Sequence, residues 1–343
     1  MTALTVAACG RTFALPRPRG PHSAALVERL REQPQVDAPW PATPVASADP
    51  IGDEDLQLAL YLCYELHYSG IANVDPAWEW DPRLLAFRAA LERPFEAAVR
   101  ALAPPADERE LAEVGAALHR IVAADDGPPL SRYVETRASL EQVRELLVHR
   151  SAYQLKEADP HSWAIPRLSG APKAALVEVQ TDEYGGGQAD RIHAVLFAKA
   201  MAAVGLDPTY GAYLDQLPAV TLAGVNFMSL CGLHRRLRGA IVGHLAAFEM
   251  TSSLPNRRYG NALRRLHFGV EATDFFDEHV EADAVHEQIA AWDLAGGLAA
   301  GEVALAPDIL FGARALLALE ARWAGHLLAA WERDERSLRA AAT

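Results

Sequence analysis

Apolar residues recur every three or four positions along most of the chain, and segments rich in proline or glycine separate these stretches. This spacing places apolar side chains on one face of a helix. We find no convincing alternation of the kind that predicts a half-buried strand, and Ala and Leu predominate. The pattern predicts an all-α fold, a helical bundle, with helices at about 23–32, 54–69, 81–102, 108–124, 136–156, 208–216, 219–250, 257–267, 270–296 and 307–336 and within 171–206.

The segments rich in proline and glycine also predict how the chain is divided. Residues 1–50 are proline-rich and predict an N-terminal arm around one short helix. Residues 51–336 predict a single helical-bundle domain, in which 81–156 adds accessory helices and 170–300 forms the denser core. Residues 337–343 remain as a short tail.

Composition excludes several classes of protein. The chain has 343 residues and a net charge of −13, which argues against a general nucleic-acid binder. Its three cysteines, Cys9, Cys63 and Cys231, are widely spaced, as in a protein of the reducing cytoplasm, and they exclude a thiolate zinc cluster. No run approaches the ~20 apolar residues of a membrane span, and no basic residue precedes the short apolar run at the start. We therefore expect a cytoplasmic protein without a signal peptide.

One predicted helix carries polar residues where its core face should be. In "FFDEHVEADAVHEQ", residues 275–288, the side chains of His279, Asp283 and His286 are spaced i, i+4, i+7 and point the same way. The same face holds phenylalanines before them and Ile289 after them. Burial of two imidazoles and a carboxylate is costly unless each is paired or binds a metal. The stripe is therefore either solvated or a binding site.

Two further polar residues lie on apolar helix faces. His193 precedes Leu196, Phe197 and Ala200 at helical spacing. Glu183 lies ten residues earlier, which on an ideal helix is about 80° out of register. The glycines at 185–187 can unwind the helix there, so the two side chains could still converge. Glu65 lies on a third stripe, and as a carboxylate it needs a partner if it is buried.

Together these residues predict a metal site. Carboxylates and imidazoles from several helices suit one or two iron or manganese ions, and a helical bundle is the usual host. Glu178 or Asp182 would replace Glu183 if the helix register differs. Each histidine alone could instead be a hydrogen-bonded core residue, and the stripe at 275–288 could be a solvated face. The candidate ligands are Glu65, Glu183, His193, His279, Asp283 and His286.

The segments "EYGGGQADRIHAVLF" (183–197) and "FFDEHVEADAVHE" (275–287) resemble the heme-oxygenase-like diiron oxidases and oxygenases, which are iron-containing redox enzymes. The resemblance extends over about 54–69 and 170–300. It implies a heme-oxygenase-like bundle of about seven core helices that binds iron and not heme. Its ligand pattern falls on Glu65 from a first core helix, Glu183 and His193 from the next, and His279, Asp283 and His286 from a later one.

The resemblance also implies an activity. Such a protein would hold two Fe(II) per chain, the second in a labile site, with dioxygen as co-substrate. It would oxidise a small amino-acid-, amine- or fatty-acid-derived substrate by N-oxygenation, desaturation or oxidative C–C cleavage, in a biosynthetic pathway. By family habit it would be a homodimer, with no nucleic-acid or membrane partner. The residues themselves add three supporting candidates: Tyr184 could orient a ligand or simply pack, Glu249 could contact a substrate amine, support the ligands or form a buried salt bridge, and Arg264 could anchor a substrate carboxylate or lie on a solvated face.

Three other interpretations remain open. A protein of the same fold could bind heme, with one histidine as axial ligand. A ferritin-like carboxylate protein needs two Glu-x-x-His pairs, which the stripes lack. A non-catalytic helical partner-binding protein would retain no iron.

Overall fold

We describe the chain from a computed structural model that covers residues 12–35 and 47–340, without the side chains of 282–285. In these segments all regular structure is helical, which confirms the all-α fold class that the sequence predicts. None of the helices described is long and apolar enough to cross a membrane. The helices are α1 (Pro21–Leu30), α2 (Glu54–Glu65), α3 (Pro82–Leu102), α4 (Glu108–Ala112), α5 (Val114–Ala123), α6 (Leu130–Thr136), α7 (Leu140–Gln154), α8 (Asp159–Ser162), α9 (Gly170–Glu183), α10 (His193–Ala203), α11 (Ala219–Leu233), α12 (Arg238–Arg265), α13 (Val270–Gln288), α14 (Gly297–Gly301) and α15 (Ala306–Trp331).

The described chain also contains short 3₁₀ turns and one π-helical segment. The π-helical segment, Ile289–Gly296, directly continues α13 and leads into α14. Segments of this kind are rare and frequently lie beside functional sites. The 3₁₀ turns are Pro76–Trp80, Ile165–Arg167, Gly185–Gly187, Leu214–Gln216, Arg235–Leu237 and Val303–Leu305.

Helix α12 is the central element of the bundle. It packs against α15, α13, α6 and the π-helical segment. Its crossing with α15 depends on glycines on both sides. A methyl group on Gly243 would overlap the carbonyl oxygen of Ile309, and one on Gly312 would overlap the carbonyl oxygen of Ala240. The two backbones are therefore in direct contact, and only glycine fits at either position.

The N-terminal arm packs on the bundle where the structure describes it. Phe13 is buried, with its ring 5.8 Å from the ring of Tyr210. Asp55 of α2 accepts hydrogen bonds from the backbone N–H groups of His22 and Ser23 at 2.7 Å each, at the start of α1. These contacts satisfy donors that a helix N-terminus leaves unpaired.

Several predicted helix boundaries are displaced. The predicted helix 219–250 is two helices, because the chain is extended at His234. Arg167 donates hydrogen bonds to the carbonyl oxygens of Gly232 and Leu233 there, which satisfies the end of α11. In contrast, α12 continues through Pro255, where the sequence predicts a break. Packing against α13 and α6 keeps it helical on both sides of the proline.

The predicted helix at 208–216 is mostly a loop. Only Leu214–Gln216 forms a 3₁₀ turn. Gly211 has a φ of 76°, a left-handed conformation that ends helical geometry. The tight packing of the Phe13 side chain against Gly211 fixes this loop.

The α12–α15 crossing generates a stability prediction. We expect Gly243→Ala to destabilise the protein by about 3 kcal/mol, because the added methyl group forces the two backbones apart. Gly224→Ala on α11 is the matched control, since a methyl group there meets no atom of the described chain within 4 Å. The control should be neutral or slightly stabilising. Urea unfolding curves measure both, and an unchanged midpoint for Gly243→Ala would contradict the crossing.

Candidate metal centre

Four side chains from four segments converge in the core of the bundle. They are Glu157, Glu183, His193 and His279, and one ligand atom from each lies within 4.8 Å of the others. All four are buried, with at most 7% of each residue exposed. Two carboxylates and two imidazoles in an enclosed space are a donor set that suits iron.

The glycine-rich break joins Glu183 and His193. Glu183 is the last residue of α9 and His193 the first of α10, and the carboxylate Oε2 lies 3.0 Å from Nδ1. Gly185 has a φ of 70° and its Cβ position lies against the backbone of Arg191, so a side chain would not fit. The helix therefore ends, turns and restarts, which corrects the register that one straight helix would impose.

Glu157 lies in the short turn between α7 and α8. Ala158, which follows it, adopts a left-handed φ of 73° and starts α8. The Oε1 atom of Glu157 lies 3.6 Å from Nε2 of His279. The Nδ1–H group of His279 donates to the carbonyl oxygen of Phe275 at 2.8 Å. This bond places the lone pair on Nε2, the nitrogen that faces Glu157, as in a metal-binding histidine.

A second group shares Glu183 with the first. Glu183, Glu249 of α12 and His286 of α13 bring their ligand atoms within 4.8 Å of one another. Nδ1 of His286 lies 3.4 Å from the carboxylate of Glu249, and Nε2–H donates to Asp182 at 2.9 Å. The Asp182 carboxylate orients the ring, so that Nδ1 faces the group. Because Glu183 has two oxygens, it can contribute to both groups at once.

Burial and neighbouring charges shift the pKa values of these groups, so that the two glutamates and His286 hold protons more readily when no metal neutralises them. Desolvation raises the pKa of Glu183 to about 7 and also raises the pKa of Glu157. Desolvation lowers the pKa of His193 to about 4. For His286, burial disfavours the charged ring, but the hydrogen bond and negative charge of Glu249 outweigh it and raise the pKa to about 9. Metal uptake would therefore release protons.

The residues fit a metal by a second criterion. Within the described part of the chain, the buried Oε2 of Glu157 has no hydrogen-bond partner, and three further buried atoms have only charge contacts inside the groups and no hydrogen bond of good geometry: Oε2 of Glu183, Nδ1 of His193 and Nδ1 of His286. An unpartnered buried polar atom costs ~1–3 kcal/mol. Metal coordination would satisfy all four atoms, whereas further packing of the bundle would not.

Four of the six ligands predicted from the sequence lie in these two groups: Glu183, His193, His279 and His286. The side chain of Asp283 lies outside the described residues, so its role stays a prediction. Glu65 belongs to neither group. The two residues that the sequence offers as alternatives to Glu183 lie in different places. Asp182 contacts His286, whereas Glu178 is exposed on α9.

Glu65 has a different partner in the structure, which does not bring it to either group. Its carboxylate forms a buried ion pair with Nζ of Lys156, and both side chains are 2% exposed. The ammonium group also lies 4.2 Å from the ring centroid of Tyr68. The buried charge of Glu65 is therefore neutralised by a cation of the chain itself. The apolar stripe correctly predicted burial, but it contains no information about Lys156.

The carboxylate that this side of the bundle contributes to the first group is Glu157, which is not among the ligands predicted from the sequence. It stands four residues after the buried Tyr153, so the helical period of α7 continues to it. This weak signal was obscured because Lys156 and Glu157 together are typical of a solvated loop. Of the supporting residues, Glu249 joins the second group as described above.

The other two predicted supporting residues lie elsewhere. The hydroxyl of Tyr184 donates to Asp159 at 2.9 Å and lies 3.0 Å from the hydroxyl of Ser162. It therefore secures α8 against the end of α9. Arg264 is exposed and pairs with Asp277 at 2.5 Å, so the predicted contact with substrate is not supported by its position.

Two neighbouring cavities lie beside the groups. The inner cavity is narrow and is bordered by Glu183, Glu249 and His279 and also by Tyr153, His161 and Phe248. The outer cavity shares Tyr153 and Phe248 and is lined further by Arg150, His244, Glu320 and Trp323. The rings of Tyr153 and Phe248 meet edge to face at 5.6 Å, and they separate the two cavities.

Comparison with known proteins agrees with this geometry. The model of a family described as iron-containing redox enzymes matches residues 144–321, just over half of the chain. A search of curated proteins finds no match. The resemblance predicted from the sequence is confirmed over this segment, which contains both groups of ligands. The predicted extension to 54–69, with Glu65, lies outside the match.

Glu157 and Glu65 generate opposite predictions for iron binding. We expect Glu157→Gln to weaken Fe(II) binding at least about tenfold, because one ligand of the first group loses its charge. The double variant Glu65→Gln with Lys156→Met removes the ion pair without leaving a lone charge, and it should bind iron as the parent protein does. Anaerobic titration with Fe(II) measures both variants. Equal iron loss in both would return Glu65 to the ligand set.

Proposed function

The chain belongs to the family of iron-containing redox enzymes, and we propose that it is a non-heme diiron oxygenase or oxidase. The observation that carries the proposal is the pair of ligand groups that share Glu183. A carboxylate that serves both groups is the arrangement by which protein sites hold two metal ions close together. Three carboxylates, with Asp283 as the predicted fourth, suit the charge of two ferrous ions.

The chain itself would hold and isolate the ions. Glu157, His193 and His279 would hold the first, Glu249 and His286 the second, and Glu183 would contribute to both. The hydrogen bond from His279 to the backbone of Phe275 fixes the orientation of that ring. Two ferrous ions in this place would supply the electrons that activate dioxygen. The aromatic partition limits the access of water.

The outer cavity is the route by which we expect substrate to reach the ligands. Arg150 and Glu320 line it and form a two-point ion pair, with N–O distances of 3.0 and 2.7 Å. The Arg150 guanidinium also lies 4.0 Å from the ring centroid of Trp323. The walls between this pair and Phe248 are apolar, with Val225 and Leu319 among them. This arrangement suits a substrate with a charged end, an apolar middle and a reactive end.

The ion pair favours an amino-acid-derived substrate. A carboxylate alone, as in a fatty acid, would compete with Glu320 for Arg150 and leave Glu320 unpaired. A zwitterionic end can open the pair without cost in charge, because its carboxylate takes Arg150 and its ammonium group takes Glu320. We therefore rank amino-acid-derived substrates above simple amines and fatty acids, with the reactive group toward the inner cavity.

The test of the proposed function is iron-dependent consumption of dioxygen. We expect metal-free protein to take up about two Fe(II) per chain, as diiron carboxylate bundles do. We then expect the loaded protein to consume dioxygen, measured with an oxygen electrode and by stopped-flow absorption. His279→Ala should abolish both, because Nε2 of His279 is a ligand atom of the first group.

Two results would contradict this proposal. Uptake of one ion or fewer at saturation would remove the diiron site. Binding of added heme, with the intense absorption of ligated heme and loss of iron uptake, would favour the heme-binding alternative. The screen for oxidation products then follows with amino acids, amines and fatty acids of matched length.

The Arg150–Glu320 pair generates a prediction about specificity. We expect metal-free protein to bind L-norleucine about tenfold more tightly than hexanoate, which lacks the ammonium group. In Glu320→Gln the order should reverse, because Arg150 is then free to pair with a single carboxylate. Glu141→Gln removes an exposed pair with Arg144 on the same helix and is the matched control. Calorimetry measures the affinities, and an unchanged order in Glu320→Gln would exclude this role of the pair.

A further inference from the structure

Two histidines connect the inner and outer cavities. His161 of α8 borders the inner cavity beside Glu183 and Glu249, and His244 of α12 lines the outer cavity. Both residues are at most 2% exposed. Nε2 of His161 lies 3.1 Å from Nδ1 of His244, which is a hydrogen bond between the two rings. The pair therefore crosses the partition that Tyr153 and Phe248 form.

The surroundings of the pair keep both rings neutral. The ring contacts of the pair are aromatic, with Tyr153, Phe227 and Phe248. Burial lowers the pKa of His161 to about 3 and lowers the pKa of His244 well below its usual value. A neutral imidazole has one N–H donor and one lone pair, so it can accept a proton at one nitrogen while it gives one up at the other.

The remaining nitrogen of His161 has no structural use. In the described part of the structure, its buried Nδ1 atom has no hydrogen-bond partner. Leaving such an atom unsatisfied costs ~1–3 kcal/mol, and phenylalanine would pack there without that cost. Nδ1 is on the opposite side of the ring from the bond to His244, and the ring borders the inner cavity. It can therefore exchange a proton with a group or water in that cavity.

We propose that His161 and His244 form a proton relay between the outer cavity and the ligand groups. The relay rests on the proposed function, because the activation of dioxygen consumes protons in a space that aromatic rings close. The pair adds a role for two residues that are not in either ligand group. They act on the reaction through proton transfer alone.

The transfer conserves protons and charge. At the start His244 donates its Nδ1–H to Nε2 of His161, and His161 carries its other proton on Nδ1. Nδ1 of His161 gives its proton to an acceptor in the inner cavity, and the proton between the rings moves onto Nε2 of His161. Nε2 of His244 then takes a proton from water in the outer cavity, which becomes hydroxide and is neutralised by buffer. One proton has moved inward, and both rings remain neutral.

Nuclear magnetic resonance of the metal-free protein tests the bond without iron. We expect ¹⁵N-labelled His161 and His244 to have the shifts of neutral imidazoles and to show scalar coupling across the hydrogen bond between their nitrogens. His161→Phe should abolish the coupling and leave the His244 ring neutral. A charged ring, or rings without coupling, would overturn the relay whatever the enzyme does.

Chemical rescue tests the transfer. We expect His244→Ala to slow dioxygen consumption by the Fe(II)-loaded protein about 100-fold, the range of general acid–base effects, with iron uptake unchanged. Free imidazole should enter the space left by the side chain and restore the rate severalfold. N-methylimidazole should not, because its methylated nitrogen cannot carry a proton. His161→Phe should slow the same step, and imidazole should not rescue it.

The controls separate the relay from the function on which it rests. His326→Gln removes an exposed histidine whose ring donates a hydrogen bond to the carbonyl oxygen of Ser337, and it should retain the parent rate. If the parent protein takes up no iron or consumes no dioxygen, the proposed function fails. If the parent is active and His244→Ala is equally fast, or both imidazoles rescue equally, the relay fails and the function stands.

Discussion

Burial of charge is the constraint on which the rest of this structure depends. Lys156 and Glu157 are neighbours in the chain, yet their side chains enter two different parts of the core. Lys156 neutralises Glu65, so the buried charge of that carboxylate is compensated without a metal ion. Glu157 and Glu183 face imidazoles and each other's like charge, and the described residues place no lysine or arginine beside either of them. Without a metal ion, bound protons neutralise these carboxylates. A metal ion would neutralise them and would also coordinate the donor atoms of the imidazoles.

The sequence predicts the part of the site that local geometry determines. His279 and His286 follow from the 3.6-residue period of α13, and Glu183 with His193 follows from glycines that can turn the chain. Glu157 and Glu65 differ only in their partners, which come from distant segments. A stripe of apolar residues predicts that a carboxylate is buried, but it does not say whether a cation or a metal site receives it.

The helix boundaries show the same limit, because some of them depend on contacts with distant segments. Most helices were predictable because their apolar periods are long, and their boundaries were predictable where a cap or glycine lies in the sequence. The break at His234 depends on Arg167, which reaches the end of α11 from a distant 3₁₀ turn. The continuity of α12 through Pro255 depends on neighbouring helices. Tertiary packing outweighs the local preference in both cases.

The order of the ligands along the chain has a consequence for how the protein matures. Glu157 and His286 are far apart in sequence, and Glu249 comes from a third, separate helix. An unfolded chain cannot gather these donors, so its affinity for the metal is negligible beside that of the native state. Metal binding would then stabilise only the native state, by an amount that grows with the concentration of free ion. The cellular supply of iron would thus set how long a newly made chain survives proteolysis.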